Sequence, residues 1–247
     1  MTRIAVAGGT GEVGARVMAR GAERGFDMVS LSRASGIDLM SAAGLVDLLG
    51  DVDVVIDCLS ISTVRRGPAM RFFATTTRNL LAAGAEAGVK HHLALSIVGV
   101  DQVPYAYYQA KLAQERAITD SGAPWTLLRA TQFHEFAAQM AQRSAIGPFV
   151  LAPRMLSAPI AADEVADTLL DLAGAEPRRS IVEVGGPERR QMVDMVREWL
   201  AATGSRKRVI PVPMPGAGEA ARSGALCPVA PMRTGTLTFA DWLSTQR

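Results

Sequence analysis

The sequence predicts an α/β fold in which a doubly wound parallel sheet is covered by helices on both faces. Short apolar runs that suit buried parallel strands alternate along the chain with segments of helical periodicity, which is the pattern of right-handed βαβ units. The first apolar run, residues 4–7, leads into Gly8, Gly11 and Gly14, and a helical segment from residue 13 to about residue 24 follows. These glycines mark the first strand-to-helix turn.

The rest of the chain continues this alternation. Strands are predicted at residues 28–32, 53–59, 92–98, 125–129 and 181–184, and helices at residues 39–49, 69–87, 107–119, 163–173 and 191–203. Asp163 is a candidate N-cap, and Gly88 and Gly204 are expected to end their helices. We expect a single domain over residues 1–247, with a small C-terminal substrate-binding part built from about residues 131–160 and 205–240.

Composition and charge narrow the functional classes. Hydrophobic residues make up 49% of the 247 residues and charged residues 20%, as in globular proteins. The net charge of +2 is too small to indicate a nucleic-acid partner, and no run approaches the ~18 apolar residues of a membrane span. The chain begins with a strand, so we expect no signal peptide. Two cysteines, Cys58 and Cys227, and three histidines lack metal-ligand spacing, which favours a reduced cytoplasmic setting without a metal.

Residues 209–233 interrupt the alternation. Five prolines lie in this segment, and we expect it to stay outside any sheet because proline lacks the amide donor of a ladder. Its apolar content is too high for a disordered linker. We predict a packed loop over the carboxyl edge of the sheet, with a short helix near residues 219–226. Met214, Leu226, Val229 and Met232 would make the loop an apolar lid, which implies a small and mostly apolar substrate.

The spacing Gly-x-x-Gly-x-x-Gly after a buried strand indicates a phosphate-binding turn. Glycine is needed there because the backbone bends sharply and must approach a phosphate without an intervening Cβ. The following helix would direct its first amides at a pyrophosphate. The alternative is an ordinary glycine-rich turn, but the strand before it and the helix after it favour dinucleotide binding. The residues concerned are Gly8, Gly9, Thr10, Gly11, Glu12, Val13 and Gly14.

The end of the second predicted strand bears on the choice of nicotinamide cofactor. NAD-specific sites place an Asp or Glu about 20 residues after the glycines to hold the ribose 2′-hydroxyl. This chain has Ser32 and Arg33 there and no acid, and Asp27 lies at the other end of the strand. Arg33 can pair with a 2′-phosphate, and Ser32 can add a hydroxyl donor. We therefore expect NADP rather than NAD; the alternative for Arg33 is an ordinary surface arginine.

Tyr107 and Lys111 are candidate catalytic residues. They are four residues apart on a predicted helix and so share one face. An ammonium group beside a phenol favours the phenolate, which makes the tyrosine a better proton shuttle near neutral pH. Ser96 falls at the carboxyl end of a strand, where such sheets place reactive groups. Tyrosine and lysine also meet at this spacing by chance in many helices, so their place after the cofactor half is what supports the assignment.

At these motifs the chain resembles the short-chain dehydrogenase/reductase superfamily, and within it the atypical, NmrA-like branch of NAD(P)H-binding proteins. The resemblance rests on the glycine turn, on Tyr107-x-x-x-Lys111 and on the Arg-Asn-Leu-Leu-Ala-Ala run at residues 78–83. Further similar stretches lie at residues 87–90, 127–136, 160–165 and 183–188. The resemblance implies a Rossmann fold with the cofactor at the switch point of the sheet. The asparagine that core members carry in the central helix is replaced near Phe73.

The resemblance also implies roles for individual residues. Tyr107 would donate or accept the proton, and Lys111 would bind the nicotinamide ribose and lower the pKa of the tyrosine. Ser96 would orient the carbonyl oxygen. The other implied cofactor contacts are Asp38 and Leu39 beside the adenine, Cys58, Leu59 and Ser60 after their strand, and Thr131, Gln132 and Phe133 beside the nicotinamide.

Motifs and resemblance together indicate an NADP-dependent oxidoreductase that transfers a hydride to or from a small carbonyl or alcohol substrate. Two alternatives stay open: an NADP-binding redox sensor or regulator without turnover, which the NmrA-like branch contains, and a relative of sugar epimerases or dehydratases. Tyr107 and Lys111 favour the enzyme, because a sensor has no use for a proton shuttle. A monomer and a homodimer are both compatible with the sequence.

Overall fold

The computed structural model describes residues 1–63, 65–214 and 216–246. The chain forms two compact units. The first unit consists of Met1–Ser96, Ala106–Arg129 and Asp163–Val182, and the second of Ile97–Tyr105, Ala130–Ala162 and Glu183–Arg247. A single domain over residues 1–247 stays a prediction.

Strands and helices alternate as the sequence predicts. In chain order they are β1 (Arg3–Ala7), α1 (Glu12–Glu23), β2 (Asp27–Leu31), α2 (Leu45–Leu49), β3 (Val54–Asp57), α3 (Arg66–Ala87), β4 (His91–Ile97), α4 (Ala106–Thr119), β5 (Trp125–Ala130), α5 (Glu135–Arg143), β6 (Ala145–Ile146), β7 (Phe149–Pro153), β8 (Leu156–Ser157), α6 (Ala162–Ala173), β9 (Ile181–Gly185), β10 (Arg190–Gln191), α7 (Met192–Ala202), β11 (Arg208–Val212), β12 (Arg233–Thr234) and α8 (Phe239–Ser244). All predicted strands are present, with their ends within two residues of the prediction.

The main sheet confirms the doubly wound α/β fold. Among the described residues it has seven strands in the order β12-β9-β5-β4-β3-β1-β2. β1 pairs in parallel with β2 on one side and with β3 on the other, and β3 pairs in parallel with β4. The strand order therefore reverses between β1 and β3, and the crevice at their carboxyl ends is where doubly wound folds bind ligands.

The helices predicted in this alternation begin within three residues of the expected positions, except the one predicted at residues 39–49. The helix predicted at residues 39–49 is confined to α2, because Gly44 before it takes a left-handed backbone with φ +72°. Leu45 and Leu49 of this short helix are nevertheless buried in the core. Asp163 is not an N-cap, because α6 already begins at Ala162. Asp163 lies in the first turn, where a carboxylate is stabilised by the helix dipole.

A ladder of ion pairs joins α1 to α6 inside the first unit. Arginines repeat at every fourth position from Arg16 in α1 to Arg24, the residue that follows it, and aspartates repeat at every fourth residue of α6, so each set lies on one face. Nε of Arg20 lies 2.7 Å from Oδ1 of Asp167, and Nη1 of Arg24 lies 2.7 Å from Oδ1 of Asp171. Arg24 also donates to Asp167, which therefore accepts hydrogen bonds from two arginines.

Asp167→Asn is expected to lower the free energy of unfolding by about 1–2 kcal/mol at pH 7, because it weakens both arginine contacts. Burial by itself raises the pKa of Asp167, but the hydrogen bonds and charges of Arg20 and Arg24 outweigh it and hold the pKa below its ordinary value. A lowered folded pKa means that the contribution is present above the unfolded pKa of about 3.9 and is lost as the pH falls through the folded value.

Urea unfolding from pH 7 down to pH 3 measures this effect. The difference between wild type and Asp167→Asn should begin to shrink below about pH 4 and continue to shrink as the pH falls further. Asp194→Asn is the matched control, since Asp194 is half-exposed and pairs only at the surface with Arg197. Its effect should stay below about 0.5 kcal/mol. A difference for Asp167→Asn that does not change with pH would contradict this explanation.

The second unit contains two small sheets and an aromatic cluster. β7 lies between β11 and β6 in a three-stranded sheet, and β8 pairs with β10. The rings of Trp199 and Phe239 both stack on Trp242, with centroids 5.7 and 5.5 Å away. The buried His134 lies against the same cluster, and its Nε2 is 3.0 Å from the carbonyl oxygen of Leu237.

Residues 209–233 differ from the prediction in two ways. β11 pairs in parallel with β7, even at Pro211 opposite Ala152. This is compatible with proline because β11 is an edge strand, with β7 as its one neighbour in the described sheet. Residues 216–225 form successive turns rather than a helix, and the amides of Arg222 and Ser223 both donate to the carbonyl of Glu219 at 2.9 Å. A lid function of this segment stays a prediction.

Candidate active site

The glycine turn follows β1 directly, and the amide of Gly11 donates a hydrogen bond to the carbonyl of Gly8 across it. Gly8 has φ +78°, and a Cβ there would lie 3.0 Å from the carbonyl oxygen of Cys58, at the end of β3. A Cβ on Gly14 would lie 2.1 Å from the carbonyl oxygen of Gly8, so the first turn of α1 can approach the loop only without a side chain. Gly9 is less restricted, since its Cβ would meet the side-chain Oγ of Ser30 at 2.6 Å, and the serine can rotate away.

The start of α1 suits an anion. Gly11 precedes the helix with an extended backbone, and no side chain caps the first turn. Backbone amides at an uncapped helix start are the groups that bind pyrophosphate in such turns. Thr10 and Glu12 are exposed beside them, whereas Val13 is buried in the core. The predicted residues 8–14 are thus gathered in one turn, at the switch point between β1 and β3.

The residues after β2 form a short 3₁₀ turn, Arg33–Ser35. The Oγ of Ser32 caps this turn by accepting a hydrogen bond from the amide of Ser35 at 3.3 Å, and it lies 2.8 Å from the Ser35 hydroxyl. Arg33 is exposed, and the described part of the chain offers it no ion-pair partner. Its guanidinium is therefore available to an external anion, while Ser32 is already engaged in the local turn.

The predicted adenine contacts have different environments. Asp38 is exposed, and its Oδ1 accepts a hydrogen bond from the amide of Met40 at 3.0 Å. The Leu39 side chain is buried in the hydrophobic core beside Leu45 and Leu80. The carbonyl of Leu39 accepts a hydrogen bond from Nδ2 of Asn79 on α3 at 3.0 Å. Leu39 therefore anchors this loop, and contact with adenine stays a prediction for both residues.

The segment after β3 runs along the glycine turn and reaches the predicted catalytic tyrosine. The amide of Cys58 donates to the carbonyl of Ala7, and Cα of Leu59 lies 3.4 Å from the position of a Cβ on Gly8. Burial raises the pKa of the Cys58 thiol, which therefore stays protonated. Oγ of Ser60, the next residue, lies 3.1 Å from the Tyr107 hydroxyl. Ser60 thus connects the predicted cofactor turn to Tyr107.

Tyr107 lies in the first turn of α4, with its ring edge-on to Phe73 at 5.7 Å. Burial raises the pKa of the Tyr107 hydroxyl, and its hydrogen bonds with Ser60 and with the backbone of Ile61 offset only part of this effect. The implied lowering of this pKa by Lys111 is therefore wrong for the structure described here. Phe73, which stands near the place of the asparagine of core members, packs on the ring and supplies no hydrogen bond to it.

Lys111 is 3% exposed and directs its ammonium group into the first unit. Nζ donates a hydrogen bond to the carbonyl oxygen of Leu95 at 2.7 Å and another to Oε1 of Gln114, and it lies 4.8 Å from the centre of the Phe73 ring. Burial lowers the pKa of Lys111, whereas the charges of Asp57 and Glu115 raise it. Tyr107 and Lys111 share a helix and both contact Phe73, but no direct hydrogen bond joins them among the described residues.

Ser96 lies near the carboxyl end of β4 and is almost completely buried. Its Oγ has no hydrogen-bond partner among the described residues. The hydroxyl that the structure places beside Tyr107 belongs to Ser60 instead. Ser60 and Tyr107 are 47 positions apart, so no local pattern in the sequence predicts their contact. The position of Ser60 just after a buried strand is the one signal that could have indicated it.

Thr131, Gln132 and Phe133 lie together in the second unit, beside residues 158–160. Oγ1 of Thr131 donates to the carbonyl of Ala158, and the amide of Ile160 donates to the carbonyl of Gln132 at 3.0 Å. Phe133 forms a bridge with Ile160. Their backbone is thus fixed within that unit, and their role beside the nicotinamide stays a prediction.

Residues 1–63, 65–214 and 216–246 lack two further features that would bear on function. No three histidine, cysteine, aspartate or glutamate side chains are grouped there as metal ligands. No helix in these segments has the length and apolar composition needed to cross a membrane.

Residues 8–176 match the model of a protein family described as NAD(P)H-binding. The chain is also similar to the chloroplastic divinyl chlorophyllide a 8-vinyl-reductase of Cucumis sativus. The two are 27% identical over 222 residues, which are 75% of this chain and 53% of the relative. The chain therefore spans about half the length of this curated relative.

Two solved structures share the fold. A complex of the NADPH-dependent quinone oxidoreductase from Escherichia coli with NADPH has a TM-score of 0.75 at 20% identity, covering 98% of this chain and 99% of that chain. A complex of the UDP-glucose 4-epimerase from Thermus thermophilus with NAD has a TM-score of 0.73 at 17% identity, covering 99% of this chain and 93% of that chain. At these identities the likeness is one of fold.

Proposed function

The chain belongs to the NAD(P)H-binding family, in agreement with its resemblance to atypical short-chain dehydrogenases/reductases, and we propose that it is an NADP-dependent oxidoreductase that reduces a small, mostly apolar carbonyl substrate. The observation behind this proposal is the hydroxyl pair of Tyr107 and Ser60. Ser60 directly follows Leu59, which lies against Gly8 of the glycine turn. A proton donor thus lies next to the turn that would hold the cofactor phosphates.

The glycine turn fits a dinucleotide. A side chain at Gly14 would collide with the backbone of Gly8, and one at Gly8 would be strained by the positive φ of that residue, so the glycines leave the amides at the start of α1 accessible to a pyrophosphate. Arg33 would pair with the 2′-phosphate, and Lys111 would contact the nicotinamide ribose. NADPH, when bound, supplies the two electrons and the hydrogen that the substrate carbon receives.

Tyr107 is suited to be the acid in this reaction. Its raised pKa keeps the phenol protonated at neutral pH, so the hydroxyl can donate its proton to the substrate oxygen as the carbonyl becomes an alcohol. The Ser60 hydroxyl holds the phenol in place and, because Ser60 is exposed, can relay a proton from solvent to the phenolate while taking one up itself. The names of two similar proteins, a vinyl-reductase and an NADPH-dependent quinone oxidoreductase, also support reduction as the direction.

NADP is expected to bind more tightly than NAD by about 10- to 150-fold, because a charge-assisted contact from Arg33 to the 2′-phosphate contributes roughly 1.5–3 kcal/mol. Calorimetric titration of both cofactors measures this difference. Arg33→Ala should remove most of it by weakening NADP binding, with NAD binding nearly unchanged. Arg71→Ala, which removes another exposed arginine in the first unit, is the control and should leave both affinities unchanged. NAD binding as tight as NADP binding in the wild type would contradict the preference.

One observation favours a second function, namely NADP sensing without turnover. The ammonium of Lys111 is bonded to Leu95 and Gln114 and makes no hydrogen bond to Tyr107 within the described residues, an arrangement that does not require proton transfer. The two functions differ in one measurable respect. A reductase oxidises NADPH in the presence of a quinone or carbonyl surrogate, whereas a sensor binds NADPH and leaves it unchanged with every surrogate.

A further inference from the structure

A buried chain of three polar side chains links the end of β3 to α4 within the first unit. Asp57, Gln114 and Lys111 are all less than 4% exposed. Nε2 of Gln114 donates to Oδ2 of Asp57 at 2.9 Å, and Oε1 of Gln114 accepts from Nζ of Lys111. The other carboxylate oxygen of Asp57 accepts the amide of Leu59 at 2.9 Å. The resemblance to dehydrogenases assigns no role to Gln114 or Asp57.

The chemistry of these groups determines how the Gln114 amide is oriented. An ionised carboxylate can only accept hydrogen bonds, so Asp57 requires the NH₂ group of Gln114 on its side. The amide oxygen must then face Lys111, whose ammonium can only donate. Reversing the amide would place two donors together at Lys111 and two acceptors together at Asp57. The polarity of the chain therefore runs from Lys111 through Gln114 to Asp57.

We propose that Gln114, oriented by Asp57, is a positioning residue that holds the ammonium of Lys111 beside the carboxyl end of β4, where Lys111 contacts the cofactor. The proposal rests on the proposed function only in assigning the cofactor to this site. Leu95, the second acceptor of Lys111, lies near the carboxyl end of β4, and Leu59, which Asp57 fixes, lies against the glycine turn. One chain of hydrogen bonds thus connects the lysine to the phosphate-binding loop.

The carboxylates around Lys111 favour its protonated form, as the hydrogen bond from Lys111 to Gln114 does. Burial disfavours the ammonium and lowers the pKa of Lys111, while the charges of Asp57 on β3 and Glu115 on α4 raise it; Cys58, after β3, faces Lys111 as a neutral thiol. Glu115 is already paired with Arg129 of β5, through a bidentate contact at 2.7 and 2.9 Å. Gln114 is thus the side chain that accepts a hydrogen bond from the ammonium, beside the backbone acceptor Leu95, and Asp57 orients it.

Selective ¹³C labelling of lysine tests this proposal, because the sequence has only three lysines, Lys90, Lys111 and Lys207. The pH titration of the Lys111 side-chain carbon reports the protonation of Lys111 without any turnover. In Gln114→Leu, we expect Lys111 to titrate at lower pH than in wild type and the Kd for NADPH to rise about tenfold. Gln109→Leu makes the same change at an exposed position of α4 and should alter neither quantity.

A reciprocal exchange of donor and acceptor separates positioning from a general effect on folding. Asp57→Asn alone places two amides opposite each other and should resemble Gln114→Leu in both measurements. The double variant Asp57→Asn/Gln114→Glu restores every hydrogen bond: the new amide at position 57 donates to the new carboxylate at position 114, which accepts from Lys111. We expect it to regain most of the NADPH affinity and of the Lys111 titration.

Two outcomes would overturn the proposal: a wild-type titration and NADPH affinity in Gln114→Leu, or a double variant no better than Asp57→Asn. If Gln114→Leu does not fold, the comparison of Asp57→Asn with the double variant tests the proposal by itself. A wild type that binds NADPH but oxidises it with no substrate would contradict the proposed reductase and leave these measurements intact. If the wild type does not bind NADPH, the titration of Lys111 in the same variants tests whether Gln114 positions the ammonium.

Discussion

Tyr107→Phe is expected to lower turnover of a carbonyl surrogate by about 10²–10⁴-fold, the contribution of a positioned general acid. The substitution removes only the hydroxyl, so the ring keeps its edge-on contact with Phe73 and the fold should be unaffected. The affinity for NADPH should change little, because the proposed cofactor contacts lie in the glycine turn, Arg33 and Lys111. Stopped-flow measurement of NADPH absorbance under single-turnover conditions reports the step directly.

Tyr105→Phe is the matched control for this prediction. Tyr105 is part-buried, precedes α4 and lies two residues from Tyr107. Its variant tests whether losing the hydroxyl of a neighbouring tyrosine lowers turnover as well. We expect its turnover to remain within a factor of about three of the wild type. If Tyr107→Phe turns over the surrogate as fast as wild type, Tyr107 is not the proton donor.

Gly14→Ala is expected to weaken NADPH binding by roughly 100-fold and to destabilise the fold by about 3 kcal/mol. The added Cβ would lie 2.1 Å from the carbonyl oxygen of Gly8, so either α1 or the turn must move. The turn and the start of α1 contribute the amides that would bind the pyrophosphate, so a movement of either one misaligns these hydrogen-bond donors. Calorimetric titration of NADPH and thermal unfolding measure the two effects.

Gly67→Ala makes the same change at a helical glycine with open space around it. Gly67 is exposed near the start of α3, and a Cβ there would meet nothing within 4 Å. This variant should be as stable as wild type or more stable by about 0.5 kcal/mol, because alanine loses less conformational entropy than glycine in a helix. Wild-type NADPH affinity in Gly14→Ala would show that the glycine turn does not bind the cofactor.

The main sheet and the glycine turn could be predicted because their signals are local. Each strand is a short apolar run. The glycine spacing indicates that two backbone segments pack closely, as those at Gly8 and Gly14 do. Signals that depend on tertiary neighbours were misread. Pro211 argued against a strand, but β11 lies at a sheet edge, where a missing amide donor is tolerated. α5 and strands β6 to β8 were not predicted because their patterns are short.

The partners of the predicted site residues could not be found from the sequence. Tyr107 and Lys111 were identified by their spacing on one helix, which is a local property. Gln114 lies three residues after Lys111 on α4, but Asp57 orients Gln114 and Ser60 contacts Tyr107 only because the end of β3 lies beside α4, across 57 and 47 residues. The pKa of Tyr107 was expected to be low because a lysine is four residues away, but burial dominates and the Lys111 ammonium is directed towards Leu95.

A crystal structure with NADPH bound tests the central claim most directly, namely that the cofactor lies between the glycine turn and Tyr107. We expect the pyrophosphate on the amides at the start of α1, the 2′-phosphate at Arg33 and the reactive carbon of the nicotinamide facing an open space beside the Tyr107 hydroxyl. Reacting atoms must come within about 3–3.5 Å, so that space must admit a carbonyl group. A nicotinamide turned away from Tyr107, or one with no room for a substrate beside it, would contradict the claim.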